Sequence, residues 1–85
     1  MTKLQYLRKE KFISQFELAK RTGVSIKSIQ KYEQGVYPIE GARVDRLIAM
    51  SEVLGCKVWE IIDNEMIARK LKEQCYAPTV QGAKH

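Results

Sequence analysis

The stretch QFELAKRTGVSIKSIQKYEQ, Gln15 to Gln34, decides the fold. It reads as two short helices meeting at a tight corner over Thr22, Gly23 and Val24. Ser14 and Glu17 stand at capping-box spacing, so Ser14 can accept from a backbone N–H while Glu17 reaches back. Ser25 is the matching N-cap of the second helix. Gly23 falls where the chain must turn with positive φ, which glycine adopts without steric cost. Ala19, four residues earlier, is small enough for a second helix to cross closely. Leu18, Val24, Ile29 and Tyr32 are spaced to close a core behind the corner.

Working outward, residues 2–11 carry Leu4 and Leu7 on one face among interleaved charges, which predicts an amphipathic helix. Phe12 and Ile13 follow as a hinge expected to pack inward, with Ile13 stapling against Leu18. The helix after the corner is expected over Ile26–Gln34, stopped by Gly35. With Ile29 taken as inward, Tyr32 and Glu33 lie within about 60° of it at about 100° per residue. Lys27 and Lys31 fall about 160° away and share the most exposed stripe, flanked by Ser28, Gln30 and Gln34. Gly35 to Ala42 is a loop, because two glycines and a proline block a continuous helix. Val44, Leu47, Ile48, Ser51 and Leu54 then form the clearest helical stripe, ending at Gly55. Val58, Trp59, Ile61 and Ile62 suggest a fifth short helix that finishes the core. Residues 64–76 read as a short C-terminal helix with Ile67, Leu71 and Cys75 in line, and residues 77–85 as a frayed tail. The fold class is therefore all-α: a compact five-helix domain over residues 1–63 with an extension over 64–85.

Composition narrows the function classes. The 85 residues suit one domain, since two separate cores would each be too small to stand alone. Net charge is +5, and residues 1–40 hold eight Lys/Arg against four Asp/Glu. The basic excess thus lies around the corner, as polyanion binding would require. Cys56 and Cys75 have no CxxC or histidine company, so both read as packing residues and no metal site is expected. No cofactor site emerges. No nucleophile, base and acid can be assembled into a catalytic set, so an enzyme is not expected. MTKLQYLRKEKF lacks the apolar segment of a signal peptide, and the longest apolar run is far short of a membrane span. No membrane association and a cytoplasmic location are expected.

The run SQFELAKRTGVSIKSIQKYEQG resembles the helix-turn-helix of the phage-repressor and Cro-like (XRE-like) family. Gln15, Leu18, Ala19, Gly23, Val24, Ser25, Ile29, Glu33 and Gly35 match its pattern, and LGCKVWEIID is similar to its closing helix. The resemblance, over residues 4–63, implies a repressor-like domain whose third helix lies in the DNA major groove. It implies base contacts at Ile26, Lys27 and Lys31. Either lysine could donate to guanine O6 and N7, while Ile26, which cannot hydrogen-bond, would meet a thymine methyl. Backbone contacts carry over to Gln15 and Ser25 at helix N-termini, which favour anions. Ser28, Gln30 and Arg43 are added as further backbone contacts. Glu33 faces inward and needs a partner; the resemblance assigns it Arg8, in a structural ion pair. The connection after Gly35 is longer than the family's, so its contacts are not carried over.

The reading that results is a sequence-specific double-stranded DNA-binding transcriptional regulator, a repressor, able to act as a homodimer over a two-fold operator. Ile67, Leu71 and Cys75 are the candidate dimer contact. Residues 64–85 are too short for a sensing domain, so a switch would need a regulatory protein partner. The alternative is a protein-interaction module of the same fold, an antitoxin or accessory factor that binds DNA weakly.

Overall fold

A computed structural model describes residues 1–76, and the side chains of residues 1–74. Five α-helices succeed one another, with no strand among the described residues: α1 Lys3–Glu10, α2 Gln15–Thr22, α3 Ile26–Gln34, α4 Val44–Leu54 and α5 Glu65–Tyr76. The expected frayed tail, the side chain of Cys75 and His85 lie outside the described residues.

Each of the first three helices starts on a hydroxyl cap. Thr2, Ser14 and Ser25 accept from the backbone N–H of Gln5, Glu17 and Ser28, satisfying donors that a helix start leaves orphaned. Glu17 does not complete a capping box; its carboxylate lies 4.0 Å from Arg21 Nε, one turn on.

Four helices end on a residue with positive φ. At α3 and α4 that residue is Gly35 or Gly55, and the paired bonds Val36 N–H to Lys31 O and Cys56 N–H to Ser51 O, each 2.9 Å, mark Schellman ends. Gly23 ends α2 at φ 77, its N–H donating to Ala19 O at 2.9 Å. At α1 the same slot is held by Phe12 at φ 58, with Ile13 N–H donating to Arg8 O at 3.2 Å. This corrects the expectation that Phe12 packs inward: the left-handed turn points its ring into solvent, 96% exposed. Ile13, half-buried, packs on the core.

Leu4, Leu18, Ile29, Met50 and Leu54 meet in the core, each almost fully enclosed. Val24 and Tyr32 close the corner from behind, as their spacing predicts. The inward face of α4 is Leu47, Met50, Ser51 and Leu54. Val44 and Ile48, expected to be inward, are 70% and 43% exposed, because the helix is rotated to bury Met50. In the loop, Ile39 is buried in a single 3-10 turn, Ile39–Gly41.

The expected fifth helix is a 3-10 turn, Val58–Ile61. Four residues are too few for an α-turn to repeat, and three-residue bonds suit short pieces. Glu60 Oε1 caps it by accepting from Lys57 N–H at 3.2 Å. Ile61 and Ile62 are fully buried, so the segment still finishes the core. Helix α5 packs on this turn through buried Ala68 and half-buried Leu71. Lys3 anchors it from α1, its N–H donating to Asp63 Oδ1 at 2.9 Å and its Nζ to Glu65 Oε2 at 3.2 Å.

Candidate nucleic-acid interface

Helix α3 is held from beneath by one side chain. Arg8 of α1 donates from Nε to Glu33 Oε2 at 2.6 Å and from Nη2 to Glu33 Oε1 at 3.0 Å. Such a fork on a carboxylate fixes orientation as well as contributing energy. Both side chains are nearly enclosed, at 9% and 1% exposure. The third arm of Arg8, Nη1, donates to Ile13 O at 2.7 Å, which ties the α1–α2 connection into the same node. Thr2, the N-cap of α1, adds to the joint, its hydroxyl donating to Glu33 O at 3.4 Å. The packing explains why an inward acid is tolerated: both carboxylate oxygens receive donors.

The node extends toward the surface. Gln15, the first residue of α2, donates from Nε2 to Glu33 Oε1 at 2.9 Å. Its Oε1 accepts from Gln30 Nε2 at 3.4 Å. Sequence spacing treats Gln15 and Gln30 as separate surface residues. The structure joins them, because the corner at Gly23 folds the start of α2 against the middle of α3. The signal was present in the inward position of Glu33, which has more acceptor capacity than one arginine fills.

The outward face of α3 carries the base-contact candidates. Lys27 is exposed, and Ile26 is 38% exposed. Lys31 is half-buried, which corrects its placement on the most exposed stripe beside Lys27. Ser28 and Gln30 are also half-buried. The Ser25 hydroxyl accepts from Ser28 N–H at 3.1 Å and donates to Ser28 Oγ at 2.9 Å. The donor that this pair leaves uncommitted is therefore the Ser28 hydroxyl.

At the other end of α3, the loop is pinned by aromatic contact. The Tyr37 ring meets Tyr32 edge-on, with centroids 5.8 Å apart and planes at 70°. Arg46 Nη1 donates to Tyr32 Oη at 3.5 Å, a contact that periodicity in α4 did not single out. Arg43, the N-cap of α4, is exposed and pairs with Asp45 at 3.2 Å. An exposed pair of this kind is worth little, so Arg43 can leave it for a better anion at small cost.

No group of three or more His, Cys, Asp or Glu able to hold a metal occurs among the described residues. Among them, too, no helix is long and apolar enough to cross a membrane. Cys56 is a half-buried free thiol. Burial pushes it up to about 11, with Glu60 adding to the shift and Lys11 opposing it; a protonated thiol is a poor nucleophile.

No curated protein and no solved structure matches the chain. A family model described as helix-turn-helix matches residues 4–58, from α1 to the start of the second 3-10 turn. That span takes in the Gly23 corner, the caps and the Arg8–Glu33 joint, and it is more than half of the 85 residues. The chain belongs to the XRE-like helix-turn-helix family, a family of DNA-binding regulators.

Proposed function

We propose that the protein is a sequence-specific double-stranded DNA-binding transcriptional regulator that lays α3 in the major groove. The observation that carries this reading is the state of α3. It is a capped helix with Lys27, Ile26 and Lys31 along its outer side, locked in angle by a bidentate ion pair beneath it. A helix of that width fits the major groove, where each base pair presents a distinct pattern of donors, acceptors and methyls. Lys27 and Lys31 donate to guanine O6 and N7, and Ile26 contacts a thymine methyl. Gln15, through its remaining N–H, and Ser25 with Ser28, at the start of α3, seat the helix on phosphates. Arg43 does so from the start of α4. Phosphate contacts position the domain, and the α3 side chains specify the sequence.

Residues 1–63 carry this activity, in the cytoplasm, without a cofactor. Occupying an operator occludes polymerase, so repression is the simplest outcome. One α3 reads only a few base pairs, and a homodimer over half-sites about one helical turn apart multiplies specificity. A second reading, a protein-docking module, is favoured by the exposed Val44 and Ile48 on the outer side of α4.

Selection of bound sequences from random duplexes, followed by a salt titration, separates the two. An enriched palindrome whose affinity falls about tenfold or more on Lys27→Ala supports base reading, the range expected for one good base contact. A steep salt slope without any enriched motif means phosphate attraction alone and rules the reading out.

A further inference from the structure

We propose that the chain pairs with a second copy of itself by seating Phe12 in the partner's groove between α4 and the second 3-10 turn. This pairing is the homodimer of the reading above with its surface named, and it calls on no contact with DNA.

Phe12 is a knob with no place in its own fold. It is held at φ 58, a costly conformation for an aromatic residue, and its ring is almost wholly exposed. Nothing within one chain offsets that cost. The backbone around it is nevertheless bolted down. Phe12 N–H donates to Lys9 O at 3.0 Å, Ile13 N–H to Arg8 O at 3.2 Å, and Arg8 Nη1 to Ile13 O at 2.7 Å. The point from which the ring departs is thus fixed by the same arginine that holds Glu33. A large apolar group presented from a fixed backbone loses little freedom on docking, as an interface anchor requires.

The groove is its complement. It encloses about 370 Å3, lined by Ile48, Cys56, Val58 and Trp59 and by the exposed Glu52 and Lys57. The rotation of α4 that buries Met50 is what leaves Ile48 open to it. Knob and groove are neighbours on one chain. Lys11 Nζ lies 3.9 Å from where a Cβ on Gly55 would stand, and Gly55 directly precedes Cys56. The left-handed turn keeps the ring out of its own chain's groove. A two-fold axis beside them lets each copy's Phe12 enter the other's groove, and the contact closes at two chains. Charge agrees with shape. Exposed Lys9, Glu10 and Lys11 make the knob's flank basic on balance, while exposed Glu52, Lys57 and Glu60 make the groove side acidic on balance. Crossing the axis sets each basic flank against an acidic one, which fixes register and speeds encounter.

Sedimentation equilibrium of the full chain without DNA tests this, with Phe12→Gly and Ile48→Glu as the two halves of the contact. Both side chains are exposed, so neither substitution opens the core, and thermal melts confirm folding. Wild type forms a concentration-dependent dimer, and each substitution weakens it about thirtyfold or more, the cost of truncating an anchor. The melts carry a second signature. The wild-type midpoint rises with protein concentration, whereas that of Phe12→Gly is higher when dilute and does not change. A turn that is merely strained gives the higher midpoint without the wild-type rise. In a Cys75→Ser background, iodoacetamide labelling of Cys56 slows as the chain is concentrated, and Phe12→Gly abolishes the slowing. The proposal is overturned if the dimer survives either substitution, whether or not Ile67→Glu in α5 dissolves it. It is also overturned if the chain stays monomeric up to millimolar concentration. That result removes the homodimer from the reading above, while an enriched single half-site in the duplex selection leaves base reading by α3 standing.

Discussion

Glu33 shows how much one side chain can organise. It receives two bonds from Arg8 and one from Gln15, and so joins α1, α2 and α3 at a single buried point. Removing one partner of such a pair leaves an uncompensated buried charge, which costs more than the pair itself gains. Glu33→Ala should therefore destabilise the fold by about 3–5 kcal/mol, read as the shift in a urea-unfolding free energy. Its inward direction was legible from the helix period alone; its bond to Gln15 was not, because that contact spans the corner. Lys31 shows the converse limit. Angle arithmetic ranks positions around one isolated helix and does not know what its neighbours cover, so a residue expected outside is half-buried. Cys56 gives a pH prediction. Its thiol is raised to about 11 in the folded chain from a usual 9.0, so the unfolded chain loses its proton first. Stability from this group is full below the usual value and falls as pH rises toward the folded one. In a Cys75→Ser background, iodoacetamide at pH 9 should label folded Cys56 markedly more slowly than the same chain in urea.

At the scale of the element, helix ends were the most legible feature and also the source of one error. Gly23, Gly35 and Gly55 stand just past a helix and adopt positive φ, as glycine after an apolar run suggests. The end of α1 has the same bonding and geometry but carries Phe12, and an aromatic residue gives no sign of a left-handed turn. Two substitutions of opposite sign check this account. Gly23→Ala adds a Cβ that meets nothing within 4 Å, so its cost is conformational, about 1–2 kcal/mol. Phe12→Gly relieves the same strain at a ring that buries almost nothing, and should raise stability by about 1 kcal/mol. Differential scanning calorimetry of both reads the signs directly. The rotation of α4 had no local signal. Val44 and Ile48 form one margin of the predicted stripe and Leu47, Ser51 and Leu54 the other, with Met50 beyond it, and only the neighbours decide which is inward. The segment Val58–Ile61 was misjudged in type and not in role: Ile61 of the 3-10 turn and Ile62 just after it both reach the core.

For the whole molecule, the basic half and the structural joint coincide. The first three helices carry the caps, the buried node and the outer face of α3, while α4, the second 3-10 turn and α5 support them from the other side. α5 covers that turn with Ala68 and Leu71. Ending the chain at Asp63 should lower stability by about 2–3 kcal/mol, from lost apolar burial, with the sequence preference for DNA retained; a melt and a repeated selection report the two effects separately. The central claim is that α3 enters the major groove, and methylation interference on a selected duplex tests it most directly. Guanine N7 lies in the major groove and adenine N3 in the minor. Methylation at one or more guanine N7 positions should block binding, and Lys27→Ala should remove the effect at one of them. Interference confined to adenine N3, or absent from both, would contradict the account.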